Sequence, residues 1–333
     1  AINTDVQDLD HCLVKKRIYI GESLTKGLGT GMNPELGRQA AEENRSEIVE
    51  ALRDADLVFI TAGLGGGTGT GAAPIVAEAA REAGALTVAV VTKPFAFEGS
   101  QRIKIAQDGL ARLKDKVDTL VVVPNDRIFG IIDKNTSLIK AFQAIDDVLR
   151  NAVQAVTELL IIPGLVNVDF ADIKAVMKDA GSAIIGVGVA AGGDRSLKAV
   201  TAAVNSSLLE LSIEGAKGVL FCVSGRDLKM AEINEIAKTI SETIDQGAKI
   251  IFGAYHDRKL KPGQLKVTLI ATGFNGILAR PMTSLFASVD AEKIKVEPVL
   301  ASFDKTSGSK TAKNQKQSSD IWDIPAFMRR RKR

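Results

Sequence analysis

Nine residues, Gly63-Leu64-Gly65-Gly66-Gly67-Thr68-Gly69-Thr70-Gly71, constrain this chain more than any other stretch. They follow the apolar run Leu57-Val58-Phe59-Ile60-Thr61-Ala62, which reads as a buried parallel strand. They precede Ala72 to Ala83, rich in Ala and Glu, which reads as a helix. Glycine at such a junction lets the backbone turn tightly and approach a ligand without a Cβ in the way. The free N–H groups of the new helix and its positive end, about half a unit charge, favour an anion. Thr68 and Thr70 add hydroxyl donors. The stretch predicts a phosphate cradle.

Several glycine-rich designs compete for that description. A nucleoside-triphosphatase P-loop needs Lys and then Ser or Thr after its last glycine, but Gly71 is followed by Ala72-Ala73. A dinucleotide fingerprint can be laid on Gly67-x-Gly69-x-x-Ala72, yet it expects an acid at the end of the next strand. That strand, Leu86 to Thr92, ends in Thr92-Lys93-Pro94. A plain glycine linker fits poorly between a clean strand and a helix. The run Gly65 to Gly71, GGGTGTG, resembles the signature of the tubulin/FtsZ family of GTPases. Ala72-Ala73-Pro74 and Thr92-Lys93-Pro94-Phe95 are similar to its FtsZ branch rather than to the tubulins.

Composition narrows the setting. A chain of 333 residues, 45% hydrophobic, is long enough for two domains with a large core. Cys12 and Cys222 stand far apart and form no metal or disulfide pattern with His11 or His256, which suggests a reducing compartment. No continuous apolar run reaches the roughly 18 residues of a membrane span, and no signal peptide opens the chain, so a cytoplasmic protein is expected. The net charge of +3 divides unevenly: from Ala301 onward there are nine basic and three acidic residues, leaving 34 basic against 37 acidic before it. A body at −3 argues against a nucleic-acid surface built into the fold.

The chain opens on Ala1-Ile2-Asn3-Thr4-Asp5. By resemblance this is the end of a second strand, so a first strand and a first phosphate loop are expected upstream. The resemblance makes Asn3 and Asp5 nucleotide contacts. Gly27-Leu28-Gly29-Thr30-Gly31-Met32-Asn33-Pro34 forms a second glycine-rich turn ahead of a helix expected over Glu35–Asp54. Read alone it is a helix-leading loop; the resemblance puts Gly29, Thr30 and Gly31 at the γ-phosphate. Strands at Leu86–Thr92 and Thr119–Val123 flank a helix near Ser100–Leu113, a βαβ rhythm that implies a parallel sheet with ligands beyond the strands' carboxyl ends. Glu98 and Arg102 follow one such end. Four residues apart, they read as a surface ion pair; the resemblance gives them the ribose and neighbouring phosphates.

Asn125, after the next strand, offers a donor and an acceptor suited to a guanine edge. A long helix then spans about Ser137 to Ile161, with Leu138, Phe142, Ile145, Leu149, Ala152, Val156 and Leu160 in one apolar stripe. Phe142 and Asp146 share a face. Plainly read they are core and solvated surface; by resemblance Phe142 stacks on the base and Asp146 accepts from guanine N1–H and N2–H. Beyond Pro163-Gly164, Asp169 caps a helix and Asp172 adds charge to its first turn. The string Asn167-Val168-Asp169-Phe170-Ala171-Asp172 resembles the family's synergy loop. That resemblance implies that Asn167, Asp169 and Asp172 orient the attacking water at the nucleotide of the next subunit.

The expected architecture is α/β: a Rossmann-like parallel-sheet GTPase domain over 1–136, a long central helix and loop over 137–180, and a second α+β domain over 181–303. In that second domain strands are expected at Ala183–Val189, Val219–Val223, Ile250–Ala254 and Lys266–Thr272, with helices at Arg195–Glu210 and Leu228–Asp245. Residues 304–319 lack large apolar side chains and read as a disordered linker. Residues 320–333 carry Ile321, Trp322, Ile324 and Phe327 before five basic residues, a pattern for docking on a partner groove or, failing that, a solubilising tail. Asp-Ile-Pro-Ala-Phe resembles the family's tail peptide for division proteins such as FtsA, and the basic end adds weak attraction to anionic lipid. The resemblance implies a GTPase, with Mg²⁺ riding on the GTP, that polymerises head to tail into a division ring at mid-cell. A nucleotide-binding filament partner without turnover is the alternative, and a dehydrogenase a distant third.

Overall fold

Apolar runs too short for helices, rich in Val and Ile, alternate along the chain with segments carrying a single apolar stripe. In the computed structural model, residues 1–130, 132, 136–205 and 212–274 are described. The chain begins with β1 (Ile2–Asn3), α1 (Val6–Asp10), β2 (Ile18–Tyr19), α2 (Glu22–Thr25), α3 (Pro34–Glu43) and α4 (Arg45–Leu52). Strict alternation continues through β3 (Leu57–Gly63), α5 (Thr68–Glu82), β4 (Leu86–Lys93), α6 (Ser100–Lys114) and β5 (Thr119–Pro124). The long α7 (Leu138–Ile161) and α8 (Phe170–Met177) lead to β6 (Gly181–Ala191), α9 (Arg195–Val204) and β7 (Gly218–Gly225). Then come α10 (Met230–Thr243), β8 (Lys249–His256) and β9 (Gln264–Thr272).

β1 and β2 pair in parallel as a small sheet of their own. The main sheet has seven strands in the order β3-β4-β5-β6-β9-β7-β8. Its first four strands run parallel, and β9 is antiparallel to both β6 and β7. On β4 the pleat sends successive side chains to opposite faces. Ala89 and Val91 enter the core under α3, α4, α5 and α6, while Val88 and Val90 enter the core under α7 and α8. All four are fully buried, as expected of a parallel strand covered on both sides. A third core fills the far end beneath α9 and α10. There Arg195, 4% exposed, joins α9 to Glu232 and Asp227 at 2.7 Å each.

Two departures from the sequence reading concern where helices begin and end. The helix expected over Glu35–Asp54 breaks at Asn44, whose side chain turns away to accept the N–H of Gly21 at 3.0 Å. α5 begins at Thr68, four residues before the expected start, so the cradle's last glycines are already helical. The second half is also tied to the first through the sheet itself. β5 and β6 pair at Thr119↔Gly181, Leu120↔Ser182 and Val121↔Ala183, helped by the Thr119 hydroxyl donating to Met177 O. The linker 304–319, the terminal segment 320–333 and residues 275–303 lie outside the described residues.

Candidate functional site

At the carboxyl end of β3 the chain turns through Gly65, whose φ of +102° suits glycine. Leu64 N–H donates to Thr92 O of β4, and Gly65 N–H donates to Thr70 Oγ1, both at 2.9 Å. α5 then starts without a side-chain cap and without an acid in its first turn, which leaves its positive end open to a ligand. The glycines do different work. A Cβ on Gly67 would sit 2.0 Å from Thr30 Oγ1, and one on Gly71 would sit 2.1 Å from Pro34 O, so both let α3 and its leading loop close onto α5. A Cβ on Gly66 would meet nothing within 4 Å. Gly66 faces the open cradle.

Three segments meet at the Thr68 hydroxyl, which lies 2.8 Å from Thr4 Oγ1 and 3.3 Å from Thr30 Oγ1. Thr4 is 2% exposed and was not singled out by the sequence; a lone buried threonine carries no local signal. Its predicted neighbours are engaged on their own backbone instead. Asn3 Oδ1 accepts from Thr4 N–H and Asp5 N–H at 2.8 and 3.3 Å, and Asp5 Oδ1 caps α1 through Gln7 N–H and Asp8 N–H. Gly29 and Gly31 flank Thr30, and Gly29 faces Asp5 Oδ2. On the other side Glu98 accepts from Phe95 N–H at 2.8 Å and pairs with Arg102, whose backbone oxygen lies beside Gly65. The structure therefore contains the i,i+4 ion pair, and places it against the cradle.

Asn125 follows β5, next to β4 at the same edge of the sheet. It is only 9% exposed, and among the described residues its Oδ1 has no hydrogen-bond partner. An unpaired buried acceptor costs about 1–3 kcal/mol, so this oxygen is set up for an N–H that none of the described residues supplies. Nearby, Phe95 is buried at the centre of Phe97, Phe129 and Phe142, with ring centroids 4.8, 5.5 and 5.8 Å away. Phe142 meets Phe95 edge-on and remains 45% exposed, leaving ring surface for a planar ligand. Asp146 is exposed one turn further along α7.

The predicted acids lie at the other end of α7. From Phe142 to Ile161 the helix rises about 28 Å at 1.5 Å per residue, so one chain does not bring the two groups together. Asn167 Oδ1 accepts Gly164 N–H at 2.7 Å. Asp169 Oδ1 accepts Asp172 N–H at 2.8 Å, and Asp172 Oδ2 accepts Asp169 N–H at 3.4 Å, a reciprocal cap on α8. That leaves Asp169 Oδ2 and Asp172 Oδ1 outside the cap. A largely apolar cavity of about 350 Å³ between β5, β6, α6 and α7, lined by Leu110, Val122, Ala152 and Ile184, touches none of these residues. Among the described residues no three His, Cys, Asp or Glu side chains form a metal-holding group.

Comparison with known proteins adds an independent line. The family description "Tubulin/FtsZ family, GTPase domain" matches residues 1–133, and "FtsZ family, C-terminal domain" matches residues 181–275. A curated relative from Wolbachia sp, named cell division protein FtsZ, is 44% identical over 99% of this chain and 88% of its own length. Among solved structures, an empty FtsZ dimer from M. jannaschii superposes with a TM-score of 0.77 at 50% identity, covering 83% of this chain and 80% of that one. A GTPγS-bound protofilament of CetZ2 from Haloferax volcanii superposes at 0.69, covering 81% and 82%; at 23% identity it speaks to the fold alone.

Proposed function

The chain belongs to the FtsZ branch of the tubulin/FtsZ family, and on that premise we propose that the cradle binds GTP and that hydrolysis is completed between two copies joined head to tail. The uncapped start of α5 at the carboxyl edge of the parallel strands carries this reading. Its first N–H groups, with Thr68, Thr70 and the loop around Thr30, hold the phosphates. The base lies toward Phe142, with the orphaned Asn125 oxygen and the Asp146 carboxylate accepting its N–H groups. Adenine has no matching pair of donors, so the arrangement selects guanine.

In the reaction water attacks the γ-phosphorus, the bond to the β-phosphate oxygen breaks, and GDP and phosphate leave. Such transfers depend on positioning and charge more than on covalent help from the protein. Asn167, Asp169 and Asp172 of one copy orient that water at the nucleotide of the next, through the carboxylate oxygens that the α8 cap leaves free. Mg²⁺ suits this site as a passenger on the triphosphate, since it keeps several waters and needs only one or two protein ligands. It neutralises charge on the phosphates.

The same reading assigns residues 1–136 to nucleotide binding, 137–180 to the connecting helix and acid loop, and 181–303 to subunit contact. The segment 304–319 is the tether and Asp320–Phe327 the docking peptide for a division protein such as FtsA, at a mid-cell ring. Equilibrium titration with GTP, ATP and NADH tests the core of the proposal. GTP-selective binding is expected; equal binding of ATP, or binding of NADH alone, overturns it.

A further inference from the structure

Far from the cradle, polar side chains converge inside the otherwise apolar contact between α7 and the sheet. Glu158 of α7 accepts on Oε2 from the Tyr255 hydroxyl and from Lys266 Nζ, both at 2.8 Å. Gln154, one turn earlier, donates to Oε1. Tyr255 on β8 and Lys266 on β9 both register against Ser224 of β7, so they stand in one row across three strands. The Glu158 and Lys266 side chains are 12% and 17% exposed, beside Val156, Leu159, Cys222 and Ile270. Burial alone would raise the Glu158 carboxyl; the donors outweigh it and hold it below the ordinary carboxylate value.

Hydrophobic side chains of equal volume would hold this contact at least as well, because charges pay a desolvation penalty there. They would not fix its register, since apolar attraction has no direction, whereas charge-assisted hydrogen bonds do. The register of α7 also sets where the next loop begins. The helix ends at Ile161, and the loop beyond it docks on β8 at Ala254, the neighbour of Tyr255. Leu165 and Val166 N–H donate to Ala254 O at 2.7 and 3.1 Å, and Ala254 N–H returns to Val166 O at 3.1 Å. Two attachments to adjacent β8 residues thus bracket the helix end, with Asn167, Asp169 and Asp172 directly beyond the second.

We infer that Glu158, Tyr255 and Lys266 form a positioning latch that sets the height of α7 on the sheet and, through it, the placement of Asn167, Asp169 and Asp172 for turnover. This rests on the reading that those three residues act on the water at a second copy's nucleotide. None of the latch residues touches substrate.

The test measures GTP turnover per sedimented subunit, with GTP affinity and polymer fraction recorded for each full-length variant. Glu158→Gln and Lys266→Met should lower turnover per assembled subunit by about tenfold, the scale of a misplacement below 1 Å. Affinity and polymer fraction should stay within about twofold, a split that loss of fold or assembly would not produce. Lys266→Arg should retain at least about half the turnover, because it keeps a cationic donor. Should Lys266→Met fail to fold, Tyr255→Phe removes one hydroxyl only and should still lose about threefold, one of three donors to the carboxylate. Wild-type turnover in Glu158→Gln and Tyr255→Phe, beside an inactive Asp172→Ala, would overturn the latch alone. Loss of turnover only in proportion to lost polymer would also overturn it. Normal turnover in Asp172→Ala would instead overturn the acid-loop reading beneath it.

Discussion

Replacing Thr68 by Val tests the centre of the cradle with one atom. The Thr68 hydroxyl sits between Thr4 and Thr30, 2.8 and 3.3 Å away, and each of the three hydroxyls has a single hydrogen. Thr68 therefore donates to at most one of its two neighbours and accepts from the other. With a phosphate in the cradle, the Thr68 hydrogen can turn to it while Thr68 Oγ1 accepts from Thr4. Valine keeps the shape and removes both roles. Losing a hydrogen bond to a charged group costs about 1.5–3 kcal/mol. At 1.4 kcal/mol per decade, GTP affinity falls by about 10- to 150-fold. Thr4, 2% exposed, loses its partner as well, so the nucleotide-free protein loses about 1–3 kcal/mol of stability. Nucleotide titration below the assembly concentration and urea unfolding read the two effects separately. Thr68→Ser should restore both. Affinity within about twofold of wild type in Thr68→Val would remove the hydroxyl from the phosphate site.

Three further outcomes are expected. Gly71→Ala places a Cβ 2.1 Å from Pro34 O and 2.6 Å from Arg38 N, both backbone atoms of α3. The gain in helix propensity, about 1 kcal/mol, is outweighed by overpacking of about 1–3 kcal/mol or more, so the urea midpoint should fall; a rise would mean that α3 and α5 pack loosely. Asp146→Asn should narrow the preference for GTP over ATP by about tenfold or more, and an unchanged ratio would take Asp146 away from the base. Burial pushes the Cys222 thiol from its ordinary 9.0 up to about 12. The unfolded thiol loses its proton first as pH rises, so this stability term is intact below about pH 9 and fades above it. Alkylation at pH 8 should accordingly spare Cys222 in the folded protein and reach the partly exposed Cys12, and rapid labelling of both would contradict that burial.

Much of this was legible in the chain because the signals are local. The apolar run before Gly63 and the alternating strands and helices after it fix a parallel sheet with its ligand edge. The apolar stripe from Leu138 to Leu160 gives α7 its length to within a residue. What escaped depends on partners distant in sequence. Asn44 breaks a helix for the sake of Gly21, 23 residues away. Thr4 matters only because the fold brings Thr68 to it across 64 residues. The β5–β6 pairing needs Asp118 O to accept from Gly181 N–H, which no pattern near either strand announces. Glu158 of α7 finds its partners in Tyr255 and Lys266, 97 and 108 residues on. The acid loop is a different case. Its capping geometry is local and visible, whereas the nucleotide it serves belongs to another copy.

Mixing two impaired chains tests that last claim most directly. Thr68→Val keeps the acid loop and loses the cradle's grip; Asp172→Ala keeps the cradle and loses the acid. GTP turnover of the mixture is measured at a nucleotide level that saturates only the intact cradle. In a head-to-tail assembly with random neighbours, about a quarter of the junctions join an intact cradle to an intact acid loop. The mixture should then recover about a quarter of wild-type turnover, although each chain alone is nearly inactive. A mixture no faster than the sum of its parts would show that each chain hydrolyses GTP by itself.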